Sequence, residues 1–286
     1  MEILDGKKVA GQILTELKSR VEKLKQSGVQ PKLTAFNVGD HKPSKVYLAA
    51  KGKRAAEVGI GFELVQFSAK IEATEIISRL KQVNESDTSG IIFQLPLPQD
   101  LSSHHNEILN SIDPNKDVDL LTDKSRQLLE QGHPIFTPPT AGAILAILDA
   151  YNIDLAAHRI LLVGRGELVG KPLTQLLKIR GLDFEIMGRD TPNSDELLAS
   201  ATLIISATGK AGIISADKIS EGVIIVDAGT AESAGKVVGD VDPSAYQKAS
   251  FVSPVPGGVG PVTVAMLLSN VVQAAERAVS AVDSQT

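Results

Sequence analysis

Residues 159–181 read RILLVGRGELVGKPLTQLLKIRG, and the fold turns on how this stretch is read. RILLV is a short apolar, β-branched run, and PLTQLLKI has the spacing of an amphipathic helix. Between them lie Gly164, Gly166 and Gly170, where a strand-to-helix turn needs tight backbone and close approach. Such a turn aims helix N–H groups and the positive end of the helix dipole at a phosphate. The spacing G-x-G-x-x-x-G is one residue longer than the commonest dinucleotide fingerprint, so a glycine-rich packing turn is the competing reading. A P-loop is excluded, because Arg165 stands where its first glycine should be and Pro172 replaces its Ser or Thr.

Working outward, LTAFNVG (33–39), FELVQFS (62–68), SGIIFQLPLP (89–98), DFEIMGRD (183–190), ATLIISATG (201–209) and GVIIVDAG (222–229) are further apolar runs closed by Gly, Pro or Asp. Amphipathic stretches such as KVAGQILTELKSRVEKLKQSG separate most of them. Alternation of this kind predicts an α/β protein built on parallel sheet. Between Pro98 and Thr140 the chain turns polar and proline-rich, which places a domain junction there. The expected domains are residues 1–120 and 121–261, with a long final helix near 262–282 returning to the first.

At 286 residues, with 43% hydrophobic and 22% charged residues, the chain has the composition of a folded two-domain protein. A net charge of -5 gives no reason to expect nucleic acid as a partner. The absence of cysteine excludes disulfides, thiolate metal ligands and cysteine nucleophiles. The first residues lack a leader pattern and no run of about 18 apolar residues follows, so a cytoplasmic protein free of membrane is expected.

Several constellations bear on chemistry. SKVYLAAKGKR (44–54) reads as a helix start with Ser44 as N-cap, and Tyr47 and Lys51 fall four apart on one face. Alone, that pair is a ring covering a lysine stem. Gln94 ends a buried strand, where a polar side chain needs a partner or ligand. Asp117 and Asp119 of KDVD are either a magnesium pair or loop carboxylates, and the five histidines show no metal spacing. Where an NAD site carries an acid to receive the ribose hydroxyls, the strand after the glycine turn ends Met187, Gly188, Arg189. With Arg165 in the turn, two guanidinium groups suit a 2′-phosphate, so NADP is favoured. SPVPGGVGPVTVAML (253–267) is a stiff proline- and glycine-rich loop entering a helix.

In this order, ILDGKKVA, VGDHKPSKVYLAAKGKRAAEVGI, GIIFQLPLP, PNKDVD, VGRGELVGKP, KVVGDVD and SPVPGGVGPVTVAML resemble the bifunctional methylenetetrahydrofolate dehydrogenase/methenyltetrahydrofolate cyclohydrolase (FolD) family over nearly the whole chain. The resemblance implies an N-terminal α/β catalytic domain and a Rossmann-type doubly wound NADP-binding domain. It implies oxidation of 5,10-methylenetetrahydrofolate with NADP, then hydrolysis of the methenyl product to 10-formyltetrahydrofolate. Tyr47 would stack on the folate rings, Lys51 would be the acid/base group of cyclohydrolysis assisted by Gln94, and Asp119 would bind the pterin edge. Phe93, Leu95 and the loop Pro256, Gly257, Gly258, Val259, Gly260 and Pro261 would contact the same substrate. Gly164, Arg165, Gly166, Gly170, Arg189, Thr230 and Thr263 would hold NADP; no metal is implied, and a homodimer is. The chain departs from the family's usual pattern at Leu120, where Gly follows KDVD, at Gly166, where Ser is usual, at Gly188–Arg189, where His-Ser is common, and in lacking a cysteine before Thr137 and Pro138.

Overall fold

The computed structural model describes residues 1–233 and 236–283. The chain opens with β1 (Glu2–Ile3) and α1 (Gly6–Gln26), then alternates β2 (Lys32–Val38), α2 (Lys42–Val58), β3 (Gly61–Phe67), α3 (Ala73–Asn84) and β4 (Gly90–Phe93). Helices α4 (His105–Leu109), α5 (Asp123–Glu130) and α6 (Pro139–Ala150) follow without an intervening strand. Alternation resumes with β5 (Ile160–Val163), α7 (Gly170–Ile179), β6 (Phe184–Met187), α8 (Ser194–Ser200), β7 (Leu203–Ser206) and β8 (Ile224–Asp227). A hairpin of β9 (Ala231–Ser233) and β10 (Lys236–Val238), then β11 (Phe251–Val252) and α9 (Val259–Asp283), complete it.

Each of the seven apolar runs contains a strand, and the glycines and prolines that close them fall in the loops beyond. The strands assemble into two parallel sheets, β3-β2-β4 and β1-β11-β8-β7-β5-β6, plus the antiparallel hairpin. The first sheet buries Phe36, Ile91 and Phe93 against Ile76 and Leu80 of α3 and Ile108 of α4. The Phe36 and Phe93 rings stack with centroids 5.9 Å apart. In the larger sheet, Leu161, Val163, Ile204, Ile225 and Val252 share a core with Leu198 of α8 and Ala245. Those strands are continuous apolar runs because each lies inside the sheet, covered on both faces.

Contacts divide the chain into two units, one of Met1–Gln12 with Pro138–Met266 and the other of Ile13–Thr137 with the chain from Leu267. This differs from the sequence-based division at both ends. Residues 1–12 go with the larger sheet because β1 pairs with β11, Glu2 opposite Phe251. Residues 121–137 stay with the smaller one: Thr122 N–H donates to the Asp117 carboxylate at 2.8 Å, and Asn270 Nδ2 donates to Thr137 O at 2.8 Å.

Helix α9 is the one described helix apolar and long enough, by composition, to cross a bilayer, but half of that window is buried inside the protein. Its Val262, Leu268, Val271 and Val272 are core residues. From Leu267 on it belongs with α1, to which Glu276 is joined by a paired contact with Arg20, Nε–Oε1 2.9 Å and Nη2–Oε2 2.7 Å.

Candidate active site

In the smaller-sheet unit, α2 starts earlier than its sequence suggests. Pro43 sits in the first turn, where its missing N–H is no loss, so His41 is the N-cap and Ser44 lies inside the helix. The buried Ser44 hydroxyl stands 3.0 Å from His41 Nδ1 instead of capping the backbone. This correction leaves the Tyr47–Lys51 face intact, and Gly59 in the left-handed region ends the helix.

Tyr47 is 47% exposed, a large apolar ring left at the surface. Lys51, one turn on, donates from Nζ to Gln94 Oε1 at 3.3 Å. The Gln94 amide is fixed at both ends: its Nε2 donates to Leu95 O at 2.8 Å, and its backbone N–H extends the β4 ladder to Phe36 O at 2.8 Å. The polar residue that ends a buried strand thus has the partner its position demanded, and that partner is the amine of the Y-x-x-x-K pair. Phe93, only 2% exposed, spends its ring in the core against Phe36.

The KDVD segment divides into two roles. Asp117 is fully buried and accepts from Leu121 N–H at 2.9 Å and Thr122 N–H at 2.8 Å, so its carboxylate folds the loop. Its strand-like pairing with Ile91 lays the loop along β4. Among the described residues Asp119 accepts no such bond. Burial pushes its carboxyl above the ordinary range, the positive charge of Lys51 opposes that, and Asp117 adds to it. An acid held toward its neutral form within the field of an amine can donate as well as accept a hydrogen bond. Leu120, next in line, has φ 55°, the left-handed conformation a glycine adopts without cost. Leu120, where the family usually has Gly, thus holds a backbone conformation that favours glycine.

Sequence reasoning missed Asn270. Its buried amide, on the apolar face of α9, donates to Val118 O and Thr137 O, both at 2.8 Å, and so anchors the residue before Asp119. The available signal was a lone amide in MLLSNVV, which a buried face tolerates only with partners.

The other unit carries the glycine turn. Gly164 has φ 113°, and a Cβ on it would stand 2.7 Å from Ala207 O. One on Gly170 would stand 2.5 Å from Gly164 O, so both positions require glycine, whereas Gly166 faces open space. α7 starts at Gly170, and its first N–H groups border this turn. Arg165 is exposed and lies over Gly188: its Nε is 3.4 Å from where a Cβ would be, and its Nη2 reaches Ile186 O at 3.4 Å. A Cβ at 188 would therefore meet the Arg165 side chain at ordinary van der Waals distance. Arg189, two residues beyond the end of β6, is also exposed. The tight turn, the helix start and two exposed guanidinium groups at the second strand fit a dinucleotide with a 2′-phosphate.

In the same unit, Pro256 and Gly260 are exposed, Gly258 and Val259 are buried, and Gly257 has φ 115°. Pro261 is partly exposed in the first turn of α9, where the Thr263 hydroxyl donates to Val259 O at 3.2 Å. Thr230 is exposed after β8.

Comparisons with known proteins agree with this geometry. The tetrahydrofolate dehydrogenase/cyclohydrolase catalytic domain model matches residues 4–119, and the NAD(P)-binding domain model of the same family matches residues 138–279. The bifunctional protein FolD of Lactobacillus delbrueckii subsp. bulgaricus is 39% identical over 278 residues, 96% of this chain and 98% of that protein. The crystal structure of the FolD methylenetetrahydrofolate dehydrogenase/cyclohydrolase of Campylobacter jejuni superposes with a TM-score of 0.92 at 35% identity, covering 97% of this chain and 99% of that one. The Trypanosoma brucei methylenetetrahydrofolate dehydrogenase-cyclohydrolase, solved with NADP and an inhibitor, gives 0.90 at 30% identity, covering 96% and 97%. With both family domains matched in order on a chain of this architecture, the protein belongs to the tetrahydrofolate dehydrogenase/cyclohydrolase family.

Proposed function

We propose that this protein oxidises 5,10-methylenetetrahydrofolate with NADP and hydrolyses the 5,10-methenyltetrahydrofolate so formed to 10-formyltetrahydrofolate. The observation that carries the reading is the contact of Lys51 Nζ with Gln94 Oε1, beside an Asp119 carboxyl that burial holds toward its neutral form. NADP, when bound, accepts the hydride; this chain's own residues orient the reactants and move the protons.

The exposed Tyr47 ring offers a face on which a flat pterin can stack. The pterin edge presents N–H groups and ring nitrogens, and Asp119 can meet both kinds of atom. Lys51 serves cyclohydrolysis as the acid/base group at the attacking water and at the nitrogen released on ring opening. Gln94 receives one Lys51 N–H and is itself pinned by Leu95 O, so the amine is held in one orientation. Gly164, Gly170 and the start of α7 hold the pyrophosphate, and Arg165 with Arg189 holds the 2′-phosphate. We further assign to the protein a homodimeric state and a cytoplasmic site of action.

The test is an assay with 5,10-methylenetetrahydrofolate, comparing NADP with NAD and following methenyl-folate together with reduced cofactor. Formation of NADPH with little accumulation of methenyl-folate is expected. Persistent methenyl-folate would restrict the protein to the dehydrogenase step, and absence of turnover with either cofactor would overturn the reading.

A further inference from the structure

The acids of the larger-sheet unit include a pair with no role in the reading above. Asp240 is fully buried, and Asp227, at the end of β8, is nearly so. Asp240 receives the Ser206 hydroxyl at 2.6 Å, Thr208 N–H at 2.7 Å and Lys210 N–H at 2.8 Å. Its own N–H donates to Asp227 Oδ1 at 3.1 Å, and Asp227 also accepts from Gly229 N–H at 2.9 Å and Val241 N–H at 3.0 Å. Among the described residues neither carboxylate has a salt-bridge partner. The close approach is provided for by two glycines: a Cβ on Gly229 would lie 2.1 Å from Asp240 Oδ1, and one on Gly239 1.9 Å from Asp227 Oδ2.

Two adjacent buried carboxylates without a countercharge carry desolvation and mutual repulsion, which their six N–H and O–H donors offset in part. What the pair does provide is fixed backbone geometry in the loops after β7 and β8. These loops stand at the carboxyl edge of the sheet, where an open α/β sheet receives its ligand. The strand order tells which half of the ligand. β6 lies on one side of β5 and carries the Gly188–Arg189 end that suits the ribose phosphate; β7 and β8 lie on the other. A dinucleotide crossing the Gly164 turn from β6 therefore brings its nicotinamide half to the loops after β7 and β8. Gly164 itself is packed against Ala207 and Thr208, inside the segment that Asp240 ties down.

We propose that Asp240 is a positioning residue for hydride transfer: its buried carboxylate, through Ser206, Thr208 and Lys210, sets the backbone on which the nicotinamide ring rests. This rests on the NADP-dependent reading above. The test uses the full chain with Asp240→Asn, which keeps size but places a donor amide among donors, and Ser206→Ala, which removes one of the three bonds. Three quantities are compared with the parent: NADP affinity by fluorescence titration, dehydrogenase kcat and KM, and hydrolysis of supplied methenyltetrahydrofolate without NADP. For Asp240→Asn, dehydrogenase kcat/KM should fall roughly tenfold to a hundredfold, as expected for small misplacement of a reacting group, while hydrolysis keeps the parent rate. Ser206→Ala should show the same split with a smaller loss, and it decides the matter where Asp240→Asn does not fold. Parental dehydrogenase kinetics in a folded Asp240→Asn, or equal loss of both activities with parental behaviour of Ser206→Ala, would overturn the proposal. A parent chain that fails to bind NADP refutes the underlying reading instead.

Discussion

Leu120 gives a quantitative check of the loop that carries Asp119. Its side chain is 7% exposed and its φ is 55°. Leu120→Ala removes a buried side chain at a cost of about 2–5 kcal/mol and leaves the strained backbone in place. Leu120→Gly loses the same side chain but relieves a left-handed conformation that costs an L-residue about 1–2 kcal/mol. Against that relief stands the greater freedom of glycine in the unfolded chain, about 0.5–1 kcal/mol. The relief wins by a small margin, so both variants are less stable than the parent and glycine is the better of the two by about 0.5–1 kcal/mol. At an ordinary helical or extended position the order is the reverse, alanine above glycine by a similar amount. Urea denaturation of the three proteins, followed by far-ultraviolet circular dichroism, reads the order from the midpoints at equal slope. An alanine variant more stable than the glycine variant would refute the argument that the loop retains a glycine-type backbone at Leu120.

Three other outcomes are expected. Lys51→Met should reduce cyclohydrolase activity to background while NADP titration and the unfolding midpoint stay near the parent's; retained hydrolysis would remove Lys51 from the proton relay. Arg189→Ala should raise the KM for NADP at least tenfold and leave that for NAD nearly unchanged, because only the former carries the 2′-phosphate. Equal effects on the two cofactors would show that Arg189 does not meet that group. Burial foremost, with Asp240 adding, pushes the Asp227 carboxyl up from its ordinary value of 3.8 to about 6, despite three backbone N–H donors. Between those values the native state holds more protons than the unfolded state, so stability attributable to this group falls as pH rises from about 4 to about 6. Its ionisation costs on the order of 3 kcal/mol by pH 7. The stability difference between the parent and Asp227→Asn should therefore shift toward the parent on acidification over that window, and a difference independent of pH would refute the assignment.

Local signals in this chain were legible where a residue's role is fulfilled by its sequence neighbours. The glycines at 164 and 170 mark the turn because only a backbone without Cβ passes there, and each of the seven strand runs is punctuated by residues that stop strands. β1 and β11 gave no such signal, since a two-residue strand has no period; they are strands because β8 offers a free edge and β11 in turn offers one to β1. Ser44 was misread for an equally local reason: a good capping residue lay two positions inside a start already set by Pro43.

The acidic residues show where reading along the chain ends. In KDVD the two carboxylates differ by two positions and in sequence are interchangeable, yet one is consumed by Leu121 and Thr122 while the other, among the described residues, receives no such bond. What separates them is the pairing of Asp117 with Ile91 and the anchoring of Val118 by Asn270, contacts with partners remote in sequence. Asp227 and Asp240 make the same point: one ends a strand and the other follows a hairpin, and neither position suggests a shared lattice. Gln94 was legible because burial of its strand already implied an unmet polar group, and helix α2 brings Lys51 to it. A polar residue can thus be suspected from sequence when the burial of its own element is evident. Its partner, and so its chemistry, is fixed only when the sheet brings the second element alongside.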